Sequence, residues 1–245
     1  MRKVAILMFS VLMLATYSAS AEFVVLSSTE KSIAVGSVIA DGKKIALPKN
    51  KVLMVIDQAG RTITLTGPHK GAIEGKSGEK SDGTLVKVLS SLIRDNEDDA
   101  RSVGAVRAID KKRIEDTIDS KASAMVINIS ETGDYCLLPE VAPKVARYHS
   151  EKGKNVVLTA VSNGASQPVA WPETSVTAAW PDTLEVSDGA RFLVTQEGKD
   201  TRTLITIHRV DDDAPTIAHL AVALLGKECV EQARLMLVHM RRAAQ

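Results

Sequence analysis

Two cysteines, Cys136 and Cys229, stand far apart in a chain whose N-terminus has the pattern of an export signal. Together these features constrain the fold more than any other, because an oxidising compartment converts a distant thiol pair into a covalent tie. Arg2 and Lys3 open the chain, an apolar run follows from Val4 to Leu14, and Ala19-Ser20-Ala21 supplies the small-x-small pattern of a signal-peptidase site. The expected cut falls between Ala21 and Glu22. An uncleaved membrane anchor fits less well, since the run is short of the ~20 apolar residues that span a bilayer. No later stretch is long and apolar enough to cross a membrane. The expectation is an exported protein, periplasmic or secreted, with no transmembrane segment after signal cleavage. A bridge between Cys136 and Cys229 would close a loop worth about 4–5 kcal/mol by chain entropy. The competing reading is two separate buried thiols, each acting as a small hydrophobe.

Charge excludes one large class of partners. The chain carries 31 Lys and Arg against 30 Asp and Glu, and loss of Arg2 and Lys3 with the signal leaves it close to neutral. A nucleic-acid binder needs a concentrated basic face to displace counterions from phosphates, so no nucleic-acid partner is expected. Hydrophobic residues at 44% supply enough material for a packed core.

The pattern of apolar residues predicts an α+β chain, mainly β. Residues 22–73 read as a small antiparallel β domain: strands at Phe23–Leu26, Ser32–Ile39, Lys44–Leu47, Val52–Ile56 and Arg61–Thr66. Asp41-Gly42 is a hairpin signal, Ala59-Gly60 is a turn, and Gly67-Pro68 ends the unit. Val52–Ile56 is continuously apolar, as expected of a strand covered on both faces. The run from Gly36 to Gly71, with its Gly-led strand, its Asp-Gly-Lys-Lys-Ile-Ala-Leu-Pro turn and strand, and its Thr-Ile-Thr-Leu-Thr-Gly-Pro segment, resembles the FecR-type periplasmic β domain. That resemblance implies a role in transmitting envelope signals through protein contacts. A FecR-like regulator also has a cytoplasmic segment and a membrane helix, for which this sequence shows no counterpart, so direct transmembrane signalling is not expected.

Residues 74–121 read as a linker and an amphipathic helix. Glu74–Gly83 is rich in Gly, Ser, Lys and Glu, and Ser81 or Asp82 is the expected cap. Leu85, Val88, Leu89, Leu92 and Ile93 form the apolar stripe. The acidic patch Asp95, Glu97, Asp98 and Asp99 reads as a solvated turn, because it lacks the alternating oxygen ligands and central glycine of a calcium loop. Residues 105–121 are charged and weakly periodic, as in a partly helical connector.

Residues 122–210 predict a β-sandwich-like module of six or seven short strands. Residues 211–245 predict a helical hairpin: Asp211-Asp212-Asp213 before Ala214-Pro215 at a helix start, an apolar stripe from Ile217 to Leu225, a stop at Gly226, and a second helix starting by Glu228. Cys229, Ala233, Met236 and Met240 share one face of it, with Val230 and Leu237 alongside. A bridge from Cys229 to Cys136 would pin this hairpin to the β module.

Function is less legible. The chain has no His-Glu-x-x-His, no Gly-x-Ser-x-Gly and no phosphate-cradling glycine loop, and neither cysteine has metal-ligand spacing. No metal site, no cofactor and no catalytic activity is expected. One internal echo remains: Ala170-Trp171-Pro172-Glu173-Thr174 and Ala179-Trp180-Pro181-Asp182-Thr183. Trp171 and Trp180 are either an exposed pair that stacks on a sugar or peptide, or two core residues at strand ends, where proline blocks the ladder. With aromatics at 3%, the core has first claim on both. Two functions follow as expectations. The first is a non-catalytic exported adaptor that contacts another envelope protein. The alternative is a periplasmic glycan-binding protein or envelope hydrolase with its site near Trp171 and Trp180.

Overall fold

The structure is a computed structural model and describes residues 22–73, 84–102, 112–148, 153–200 and 202–243. The export signal with Ala21, the Glu74–Gly83 linker and its expected caps lie outside the described residues. The protein is α+β and mainly β.

Strands β1 (Glu22–Ser28), β2 (Val38–Ala40), β4 (Val52–Asp57) and β5 (Thr62–Thr66) form an antiparallel sheet in the order β2-β1-β4-β5. Its two central strands are buried on both faces, and the two-residue side-chain period divides them. Phe23, Val25, Leu53 and Val55 pack against Ile45 and Leu47 of a second, two-stranded sheet, β3 (Lys44–Leu47) with β6 (His69–Ala72). Val24, Met54 and Ile56 point the other way, where they and Leu26 meet the helices. Three expectations change here. Most of Ser32–Ile39 is turn, and only Val38–Ala40 at its end is strand; Gly36 sits at φ 78° and its carbonyl accepts from Ser90 Oγ at 2.6 Å. The Asp41-Gly42 turn forms, but it links strands of different sheets and makes no hairpin. Gly67-Pro68 leads into a further strand, β6, whose short polar sequence gives no apolar alternation to read.

Helix α1 (Thr84–Ser102) runs straight through the acidic patch expected to be a turn. Its buried face holds Leu85, Val86, Leu89, Leu92 and Ile93, so Val86 takes the place expected for Val88. A short helical stretch follows at 112–115.

Among the described residues the β module has eight strands. β10 (Val156–Ala160), β11 (Ser166–Pro168), β13 (Ala190–Gln196), β14 (Thr203–Arg209) and β8 (Gly133–Leu137) form one sheet, ordered β11-β10-β13-β14-β8. β12 (Thr177–Ala179), β9 (Lys144–Ala146) and β7 (Val126–Asn128) form the other. The β8–β14 and β7–β9 pairs are parallel, a feature the local turn signals do not encode. A core between the sheets takes Tyr135, Leu137, Leu158, Phe192, Ile205 and Val145. Alternate residues of the same strands, Cys136, Leu138 and Ala146, enter the helical core instead.

Helices α2 (Ile217–Leu225) and α3 (Val230–Ala243) pack together as the expected hairpin. The cap differs from expectation. Thr216, not an aspartate, accepts from the His219 backbone N–H, and Asp212 instead pairs with Lys121. Val230, expected beside the apolar face, is exposed.

Glycines mark where the layers touch. The Gly60 turn sits on the start of α2, so that a Cβ there would lie 2.3 Å from Thr216 Oγ1. At Gly67 it would lie 1.9 Å from the Pro48 carbonyl oxygen. By contrast, no atom of the described residues lies within 4 Å of a Cβ at Gly42, whose φ is 72°. Gly67→Ala should therefore cost about 3 kcal/mol in urea unfolding through overpacking. Gly42→Ala should cost about 1 kcal/mol, the left-handed conformation alone. Equal losses would show that the contact at Gly67 is not what matters.

Candidate functional site

Cys136 and Cys229 are disulfide-bonded, with Cα atoms 5.8 Å apart across a sequence separation of 93. β8 is an edge strand, so its outward backbone groups need partners from elsewhere. Gln232 of α3 supplies them: its amide oxygen accepts from the Cys136 N–H and its Nε2 donates to the Cys136 carbonyl at 2.8 Å. Residue 136 is thus tied twice to the start of α3, through sulfur to Cys229 just before its first residue and through an amide that imitates a neighbouring strand. Gln232 lies three positions after Cys229 on an otherwise apolar face, which is the signal that could have revealed it. Replacing both cysteines by serine should cost about 4 kcal/mol in denaturant unfolding. Gln232→Leu should cost about 3 kcal/mol, because two buried backbone groups lose their partner. Peptide mapping without reductant should recover the Cys136–Cys229 link in the Gln232 variant.

The Trp-Pro echo is a repeated turn. Trp171 Nε1 donates to the Ser175 carbonyl at 2.9 Å, and Ser175 N donates to Pro172 O at 3.3 Å. Trp180 Nε1 donates to the Leu184 carbonyl at 2.8 Å, and Leu184 N donates to Pro181 O at 3.0 Å. The same local structure delivers the two rings to different places. Trp180 is 5% exposed, with its ring 4.8 Å from Phe192 in an edge-to-face contact. Trp171 is half-buried, and the Arg147 guanidinium lies 4.3 Å from its ring centroid. The two rings therefore do not make an exposed pair; Trp180 lies within the core, and Trp171 packs against that core from the lip of a cleft.

That cleft has a volume of about 620 Å³, and its lining includes Arg147, Lys154, Asn155, Trp171 and Glu173. Arg147 is 3% exposed, and its Nη1 donates to the Lys154 carbonyl at 2.8 Å. Sequence reasoning missed Arg147, although the period of two places it in register with the buried Val145. Asn155 Nδ2 donates to Glu197 at 2.8 Å, which fixes the amide at the rim.

A second cleft, of about 400 Å³, is lined by Glu131, Asp134, Glu228 and Glu231 with Leu225 and Val230. Asp134 meets His208 at 2.8 Å, Glu231 meets Arg234 at 3.0 Å, and Glu131 accepts from the Tyr148 hydroxyl. Burial, reinforced by Glu231, Glu131 and Asp134, pushes the Tyr135 hydroxyl far above its ordinary range. Among the described residues no group of His, Cys, Asp and Glu could hold a metal ion. Behind Tyr135 a small cavity of about 40 Å³ is bounded in part by Glu115. Burial raises the Glu115 carboxyl above 4.5, and Arg241 and Arg242 offset this only in part. The folded state then holds a proton that the unfolded chain releases, so stability falls as pH rises from about 4.5. Glu115→Gln should gain stability over the parent as pH rises above 4.5, and a constant difference would contradict this.

The third feature is an edge. β5 closes one side of its sheet with the sequence Thr-Ile-Thr-Leu-Thr. Asp57 N donates to Arg61 O and Gly67 N to Lys51 O, which sets the ladder phase: residues 61, 63, 65 and 67 bond inward. The N–H and C=O groups of Thr62, Thr64 and Thr66 accordingly face outward. Their side chains are exposed, and neither charge nor proline guards the strand. No protein-family model matches the chain, and no curated protein matches its sequence.

Proposed function

We propose that this is an exported, non-catalytic adaptor that binds another envelope protein by adding one of that protein's strands to β5. The observation that carries the reading is the open edge of β5: three threonines turn outward backbone donors and acceptors that meet no partner among the described residues, along an uncharged, strand-forming segment. Support for export comes from the N-terminal signal pattern and the disulfide, which belong together in an oxidising compartment. Among the described residues no helix is long and apolar enough to cross a membrane. The FecR-like run Gly36–Gly71 contains β5 and agrees with signalling through protein contacts. Strand addition supplies affinity through main-chain hydrogen bonds, and it leaves sequence preference to the Thr side chains and the half-buried Ile63 and Leu65.

A photocrosslinker at residue 64 in living cells should capture a defined envelope protein. Thr64→Pro removes an outward donor and no ladder bond, so it should reduce binding of the purified partner at least about tenfold, the loss of roughly 1.4 kcal/mol. Hydrogen exchange should show the Thr62, Thr64 and Thr66 amides slowed by the partner. Unchanged exchange at these three amides would refute strand addition.

A further inference from the structure

We propose that the Trp171 cleft is a binding site for a single sugar ring of an envelope glycan. The inference is independent of strand addition at β5, since the cleft lies in the other β module. Its starting point is an internal comparison. Two copies of one Trp-Pro turn hold their indoles by the same pair of backbone bonds, yet Trp180 is buried within the sandwich core while Trp171 only packs against its margin and stays half-buried. The turn at 171–175 instead stands its ring at the lip of an open cleft. Its inner part packs against the sandwich core, and the rest of the ring lines the cleft.

The surroundings of Trp171 define the chemistry. Arg147 stacks on the ring at 4.3 Å, and a guanidinium buried to 3% exposure there fixes the indole's tilt as well as its position. The indole N–H is spent on Ser175, so the ring offers a ligand only its apolar surface. The rim is polar and of mixed character: Lys154 donates, Glu173 accepts, and the Asn155 amide does both. A sugar matches this arrangement group by group, since a face of C–H bonds packs on the aromatic surface while hydroxyls, each both donor and acceptor, meet the rim. An anion fits less well, because the rim carries both signs of charge and Arg147 Nη1 is already spent on the Lys154 carbonyl. The cleft is also of the size that small-ligand sites occupy. With one aromatic platform, affinity should be weak, with a Kd of about 1 mM.

Trp171 and Trp180 are the only tryptophans in the chain, so intrinsic fluorescence reads the site directly. Titration of the full mature protein with cellobiose, maltose, chitobiose and a muramyl disaccharide should give a saturable change with at least one of them. Trp171→Ala should abolish that change, and Trp171→Phe should restore part of the binding when it is followed by calorimetry. Asn155→Ala and Glu173→Ala, both at exposed positions, should each weaken binding about fivefold. These two variants decide the matter if Trp171→Ala fails to fold. No saturable response to any of the four sugars overturns the proposal. So does binding that survives both rim substitutions unchanged, since the sugar would then sit elsewhere. Neither result bears on the exchange of the β5 amides.

Discussion

The double attachment of Cys136 to the last helix is the constraint on which the rest of the structure depends. β8 is a wall between two cores: Tyr135 and Leu137 face the sandwich interior, while Cys136 and Leu138 face the helices. An edge strand in that position has a sheet on one side only, and its outer backbone groups would be buried without partners beneath α3. Gln232 removes that cost and the disulfide makes the attachment covalent. Once α3 is fixed there, its far end reaches the first sheet. Arg241 Nε donates at 2.9 Å to the carbonyl of Leu26. Leu26 falls where the β1–β4 register shifts, between Val25 and Ser27. One helix therefore serves two strands that had no local means of completing their hydrogen bonds.

The elements that could be read from the sequence are those whose signal is local. A 3.6-residue stripe marked α1, an apolar run marked the doubly covered β4, and a short Gly-containing connection marked the α2–α3 hairpin. Where the signal is tertiary, the sequence misleads in a consistent way. The acidic patch after Arg94 looks like a solvated turn because charge suggests a loop, yet charge is no bar to helix and these residues continue α1. Ser32–Ile39 has strand-like alternation, but Gly36 is held in a turn by α1, where Ser90 bonds its carbonyl and Arg94 leaves no room for a Cβ. Parallel pairing of β8 with β14 joins residues more than sixty positions apart and has no turn to announce it.

The candidate site follows the same division. The Trp-Pro echo was legible as a repeat, and its common turn geometry is a local property of Trp-Pro-acid-Thr. The direction each indole takes is not local: Trp180 meets Phe192 across the sandwich, while Trp171 meets Arg147 from β9's end. A charged residue in the buried register of a strand is the one sequence clue to that difference. The low aromatic content, which counts against a long sugar-binding groove, is compatible with one ring at one cleft.

Coverage of the first sheet explains why it has an edge to offer. The helical layer lies over β1 and β4, where Val24, Met54 and Ile56 are buried beneath it. Each edge strand carries residues on that same face, and they are exposed: Val38 on β2, paired with Val24, and Thr62 and Thr64 on β5, paired with Ile56 and Met54. The layer is thus narrower than the sheet. Its position is fixed at β1 by Arg241 and at the β4–β5 turn by Thr216 and His219, which crowd against Gly60. It cannot shift toward β5 without losing these contacts, so among the described residues the threonine row stays uncovered as a consequence of how the helices are anchored. An apolar row in the same place would be a surface in need of burial. Threonine, β-branched yet polar, keeps the strand extended while tolerating water on that face.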